Sequence, residues 1–331
     1  MKASKICQQR RIFPIDVNTP ILIPSFSSRG FPEVKSIYLQ MRDFIVDVSL
    51  VSAYDLHYGF IDSDIYCSDL VFIDSGGYET QIITYTSALD DVYAVREGCS
   101  IQSWRIQDYE AILDGLEPNS QFVFISYDSH NLTSTLDQIK TSSNFFEKYP
   151  NIASEILLKP ENKESNLINW EFIVNNVNYF SNFSIIGVTE KELGKSILER
   201  CQNLLRLRSA LYENGCNIPI HVLGCLDPAL IITYFLCGAD IFDGLAWLRY
   251  SFFEGLALYN STSIILQEHW EISEIDLPKL YGVRNLQVLN NLSNAMQKFY
   301  RTQNLNEFDE WKLVMPNILN LVQQVGLDFE E

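Results

Sequence analysis

Short runs of β-branched and aromatic residues recur along the chain, separated by longer stretches whose apolar positions return at helical spacing. The runs are "PILIPSF" (20–26), "DFIVDVSLV" (43–51), "LVFIDSGG" (70–77) and "QFVFISYD" (121–128). Four more follow: "EILLKPE" (155–161), "FSIIGV" (183–188), "IPIHVLG" (218–224) and "ADIFDGL" (239–245). Each has strand length and none alternates cleanly, the pattern of strands buried on both faces of a parallel sheet.

The intervening stretches predict helices. "SIQSWRIQDYEAILDGL", "STLDQIKTSSNFFEKY" and "LGKSILERCQNLLRLRSALYENG" place apolar groups on one helical face, and Gly215 ends the last of them as a C-cap. In "DPALIITYFLCG" Asp227 caps, Pro228 suits the first helical position and Gly238 terminates. The segments after the first two strands carry weaker signals. Strands alternating with helices over about 250 residues predict a (β/α)8 TIM barrel, with a doubly wound open sheet as the competitor. After residue 280, "VRNLQVLNNLSNAMQKFYRTQ" and "EFDEWKLVMPNILNLVQQVG" read as C-terminal helices. The expected organisation is a barrel over 1–280 with helices of 281–331 packed on it, one domain overall.

Composition narrows the class. Of 331 residues, 47% are hydrophobic, and the mean hydropathy of −0.01 is that of a globular protein. No apolar run reaches the roughly 18 residues that span a bilayer. The opening "MKASKICQQRRIFPID" has basic residues but no apolar core to follow them, so no signal peptide is expected. Seven cysteines without a CxxC pair fit free thiols in a reducing cytoplasm. The net charge of −18, with dispersed Lys and Arg, opposes unaided grip on a phosphate backbone. A nucleic-acid substrate would therefore call for a partner protein that supplies positive surface.

The barrel prediction directs attention to strand ends, where active sites of this fold lie. Asp74 ends the third run, Asp128 the fourth, Lys159 and Glu161 the fifth, Gly187 the sixth and Gly224 the seventh, while Asp243 lies in the eighth. Each aspartate has a bland role open to it: Asp74 as a turn cap, Asp128 in an Asx turn, Asp243 in an ion pair with Arg249. Convergence of all three on one rim would be costly without function. The set suits Mg²⁺ poorly and Zn²⁺ worse, and His57, His130, His221 and His269 show no ligand spacing, so no metal or cofactor is expected. His221 lies inside a strand and reads as a satisfied core or pocket-wall residue. Paired carboxylates at a glycosidic carbon suggest displacement, one as nucleophile and one as proton carrier. A third can read the donor edge of a base.

These residues resemble the tRNA-guanine transglycosylase family. "FIDSGGYE" is similar to its DSGG-[FY]-Q segment, and "IPIHVLGCLDPALIITYFLCGADIFDGLAWLRYSF" (218–252) to its YLMG-x-G-x-P … FD-x-x-x-PTR block, with matching spacing from FD to Arg. "FVFISYDS" stands where the family carries its base-reading aspartate, "SIIGVTEKELG" where it carries a GGLAVGE-like loop, and "VRNLQVLNNLSNAM" resembles a helix near its C-terminus. The likeness spans roughly residues 20 to 300 and is most specific over 218–252. It implies a (β/α)8 barrel that exchanges guanine in a nucleic acid for a 7-deazaguanine base. Asp243 would attack the ribose C1′, and Asp74 would serve as general acid and base. Asp128 would bind the base's N1–H and exocyclic amine. Tyr78 would stack on one side of the base and Leu223 replace a methionine on the other. Gly187 and Val188 would offer backbone contacts, Gly224 would belong to the same wall, and Arg249 would occupy the family's arginine. Ser75, Gly76 and Gly77 would form a turn open to close approach of ribose or base.

The departures bear on the substrate. The family's zinc-binding cysteines are missing, because no cysteine follows Cys237, and "ALYNSTSIILQEHWEISEIDLP" stands in their place. Glu79 replaces a glutamine, PTR reads "WLR", and the glutamine-bearing fifth strand reads "LLKPEN". The resemblance thus implies a zinc-free exchange enzyme acting on tRNA or DNA, a dimer with itself or another chain, of a kind also met in antiphage gene clusters. The alternative is a module that binds a deazapurine or nucleotide, or docks a partner protein, with little turnover. A nucleoside hydrolase is a third, weaker reading.

Overall fold

A computed structural model describes residues 2–80, 101–128, 133–162, 166–273 and 276–329. All eight runs contain strands: β1 Ile21–Pro24, β2 Val48–Ser52, β3 Leu70–Asp74 and β4 Gln121–Ile125, then β5 Ala153–Leu158, β6 Ile185–Thr189, β7 Ile220–Leu223 and β8 Ile241–Gly244. They pair in parallel, each beside its neighbour in sequence, and β8 returns to pair with β1, Asp243 opposite Ile23. A bridge between Ser25 and Leu50, with the Phe26 N–H donating to the Leu50 carbonyl at 3.1 Å, joins β1 to β2 and closes the ring. The chain is a (β/α)8 barrel. The second run starts well before its strand: 43–51 becomes β2 only from Val48, because Arg42–Phe44 form a 3₁₀ turn.

The helices start where capping side chains satisfy free N–H groups. Ser134 caps α1 (Thr135–Phe146), Ser196 caps α2 (Ile197–Glu213), and Asp227 caps α3 (Pro228–Leu236) by accepting from Ala229 and Leu230. The stretch after residue 280 begins earlier than its pattern indicates, as the long α4 (Leu277–Thr302). This helix packs against β1 and the Val34–Met41 helix, which is the eighth-helix position of the barrel, so a boundary at 280 falls inside a barrel element. Among the described residues, no helix is long and apolar enough to cross a membrane.

Two apolar layers follow from burying both strand faces. Residues such as Val71, Ile156, Val188 and Val222 face the helices, while Ile21, Leu70, Phe72, Val123, Ile185 and Ile241 fill the barrel. Ile12, from a hairpin over 11–18, joins the inner cluster at the N-terminal end of the strands. Each such side chain contributes about 1.5–3 kcal/mol when fully buried. Asp240, at the start of β8, ties the periphery together. It accepts from Arg10 at 2.7 Å, from the Ile220 N–H at 2.9 Å and from Arg208, with all three side chains buried.

Candidate active site

At the C-terminal ends of the strands lies a cavity of about 220 Å³. Asp74, Asp128 and Asp243 all line it, together with Gly77, Tyr78, Leu223 and Gly224. A larger hollow of about 900 Å³ opens at the other end of the barrel, but its carboxylates, Asp16, Asp47 and Asp69, are exposed and set apart by strand starts. The converging acids sit at the smaller cavity, the end where this fold builds active sites.

Asp243 is buried to 6% exposure and surrounded by donors. Its Oδ2 accepts from the Ser25 hydroxyl at 2.7 Å, its Oδ1 accepts from the Gly224 N–H at 2.9 Å, and His221 Nε2 lies 3.3 Å from Oδ1. The left-handed φ of Gly224, +78°, turns its N–H into the cavity. Asp74 has a different environment. It accepts from the Gly76 N–H at 3.0 Å, and burial followed by the charges of Glu79, Asp243 and Asp128 raises its pKa to about 7. Glu79 is buried, accepts from Ser52 at 2.9 Å and from Ser27, and is itself raised to about 7 by burial and by Asp55. Asp55, raised to about 6 chiefly by burial, accepts from the backbone and hydroxyl of Ser28.

The turn "SGGY" serves the carboxylates directly. A Cβ on Gly77 would lie 2.6 Å from the Asp128 Cβ and 2.7 Å from its Oδ2. Gly76 takes φ +87° where a Cβ would strike Tyr54 and Trp104. Ser75 is buried and accepts from the Asp128 N–H at 3.1 Å. These residues therefore make room for Asp128 and an aromatic wall, where the sequence led us to expect room for a ribose or base.

Asp128 meets a cation that the sequence placed only at a strand end. Lys159 Nζ lies 3.3 Å from Asp128 Oδ2, 3.2 Å from Glu192 Oε1 and 3.4 Å from the Thr189 hydroxyl. Burial alone would lower the Lys159 pKa, but the two carboxylates outweigh it and raise it. Glu161 instead accepts from Thr135 and Asn169, closing the loop onto α1. Tyr78 lines the cavity with the Arg29 guanidinium 5.0 Å from its ring centre. Gly187 and Val188 do not line the cavity; Thr189, Glu190, Lys191 and Glu192 hold that wall. Val188 faces the helices, and Gly187 faces the barrel interior, where a Cβ would overlap the Glu155 carboxylate. Arg249 lies outside the lining, its guanidinium 5.6 Å from the Phe31 ring centre. His130 lies outside the described residues.

Sequence reasoning passed over Glu155, although a charge opening an apolar run was a signal. Both of its oxygens face His221 Nδ1, at 2.9 and 3.0 Å, and both residues are fully buried. Burial alone would lower the His221 pKa, but Glu155 and Asp243 on its two sides lift it to about 9. Ser25 carried no signal at all, since nothing in "PILIPSF" marks its hydroxyl as a partner of a residue more than two hundred positions away.

Together these features define a (β/α)8 barrel with a buried, carboxylate-rich mouth and a charged line beneath it. No protein-family model and no curated protein matches this chain.

Proposed function

We propose that the chain is a base-exchange glycosyltransferase that replaces guanine with a 7-deazaguanine-type base in a nucleic acid by double displacement. The observation that carries this reading is the convergence of Asp74, Asp128 and Asp243 on one cavity. Asp243 attacks C1′ and forms a glycosyl ester as the bond to the base nitrogen breaks. Asp74, with its pKa near 7, supplies a proton to the departing base and removes one from the incoming base. The second base then displaces the Asp243 carboxylate. Asp128 accepts from N1–H and the exocyclic amine, since a carboxylate keeps lone pairs after pairing with Lys159. Tyr78 and Leu223 flank the ring. The unlike surroundings of Asp74 and Asp243, one crowded by acids and one by donors, suit the division between proton carrier and nucleophile.

The test mixes purified protein with labelled guanine and separate pools of tRNA, DNA and DNA plus a basic partner protein. Stable label in one pool, lost in Asp243→Ala, is the expected result; no label in any pool refutes exchange. The ion pair between Lys159 and Asp128 favours a second reading, a purine-binding module, because it occupies part of the base-reading carboxylate. Tight guanine binding without transfer would select it.

A further inference from the structure

Glu155 and His221, which lie beneath Asp243, have no part in the chemistry given so far. Glu155 on β5, His221 on β7 and Asp243 on β8 cross the barrel interior in sequence, with the imidazole Nδ1 toward Glu155 and Nε2 toward Asp243. Barrels of this fold fill such positions with branched apolar side chains, as Ile21, Val123 and Ile185 do here. Gly187 of β6, paired in register with His221, leaves the space that the Glu155 carboxylate occupies. The Phe72 ring, 5.7 Å away and edge-on, forms another wall. Glu155 and Asp243 are the charged groups that face the imidazole.

The geometry points to His221 as a positioning residue. Clamped by Glu155, it fixes Oδ1 of Asp243 and leaves Oδ2 as the oxygen presented to the substrate. Oδ1 takes the Gly224 N–H at 2.9 Å and lies 3.3 Å from the imidazole Nε2, so one hydrogen bond and one charge hold it in place. The Nε2 contact is off-line for a hydrogen bond, so it acts as a charge contact. Oδ2 takes only the Ser25 hydroxyl, which can rotate aside, and so retains a lone pair for attack. This assignment rests on the proposed exchange chemistry. In its first step the Oδ2–C1′ bond forms while the C1′–N bond breaks, and the electron pair leaves on the base nitrogen, protonated by Asp74. Asp243 thereby becomes a neutral ester whose carbonyl oxygen is Oδ1. A cationic His221 beside that ester stabilises the carboxylate as leaving group in the second step, which keeps the covalent intermediate from accumulating.

The experiment pairs ¹⁵N NMR of the histidine side chains with kinetics, in wild type, His221→Gln and the double variant Glu155→Met/His221→Phe. The double variant removes both charges together and avoids leaving Glu155 buried alone. The expected NMR result is a His221 ring charged at pH 7 in the wild type that loses its proton at lower pH in Asp243→Asn. The expected kinetic result is a roughly 10²-fold fall in kcat with a parallel fall in the KM for the nucleic acid, because a slowed second step lowers both. The glycosyl-enzyme should also become visible by intact mass in both His221 variants. A purely structural role would lower the urea midpoint without this accumulation, and that outcome overturns the proposal. So does a His221 titration unchanged by Asp243→Asn. Coupled titration in a wild-type protein that transfers no base would uphold the clamp and refute exchange, so the two failures are distinct.

Discussion

Replacing Lys159 with methionine, which keeps the stem and removes the charge, should destabilise the protein in a way that depends steeply on pH. Lys159 Nζ is 3.3 Å from Asp128 and 3.2 Å from Glu192, and the three side chains are 26%, 11% and 16% exposed. At an effective dielectric of about 20, each contact has a gross attraction of about 5 kcal/mol. Desolvation offsets much of this, and partial exposure of the ammonium lowers it further. The net loss at pH 8 should be about 2–4 kcal/mol, most of it from two acids left side by side without their cation. Glu192 is already held above the usual carboxylate range, by burial first, and Lys159 is the main influence that lowers it. Without Lys159 the folded state binds protons more tightly than the unfolded chain does. Stability therefore falls as pH rises from about 4 toward the raised pKa, and the penalty at pH 5 should shrink below about 1 kcal/mol. Urea unfolding followed by tryptophan fluorescence at pH 5 and pH 8 measures both values. An equal loss at the two pH values, or none at pH 8, would show that the ion pair is not held in solution.

Other substitutions probe the neighbouring features. The wild-type Asp74 holds its proton up to about pH 7, so its contribution to stability is full below the unfolded carboxylate pKa and is lost as pH rises through 7. Asp74→Asn should remove that slope and raise the melting temperature relative to wild type at pH 8 but not at pH 4, read by calorimetry. Gly77→Ala places a methyl 2.6 Å from the Asp128 Cβ and should cost about 1–3 kcal/mol by overpacking, with a parallel loss of guanine affinity in titration calorimetry. Asp240→Asn strips the buried charge from between Arg10 and Arg208 and should cost about 3–5 kcal/mol, measured as a lower urea midpoint at every pH from 6 to 8.

The barrel was legible because its determinants are local. Every strand overlaps one of the apolar runs, with β2, β5 and β6 overshooting theirs by one or two residues, and the caps Ser134, Ser196 and Asp227 stand beside the helices they start. The three aspartates were legible for a related reason. A charged residue at the end of a buried run must emerge at the rim, and the parallel ring brings all such ends to one face. The 43–51 run misled at its start, because "DFIVDV" has strand composition while its first residues turn in 3₁₀ form beneath the barrel.

Side-chain pairings across the barrel were not legible, since they depend on the stagger of strands far apart in sequence. Glu155 pairs in register with Ile185, yet its carboxylate reaches the level of Gly187, and Gly187 pairs with His221. Neither a period nor a motif encodes that offset, and only the closed ring sets it. The family resemblance implied that Gly187 contacts the base, but the group that approaches this glycine comes from the adjacent strand β5. Here it is a carboxylate, and its presence turns an interior histidine toward Asp243. A Gly187→Ala substitution tests this chain of dependence at its first link. It should displace Glu155, lower the pH at which the His221 ring loses its proton, and press on the cavity-lining Leu223, whose Cδ1 would lie 3.1 Å from the added methyl. A His221 titration unchanged in this variant would mean that the glycine does not set the line.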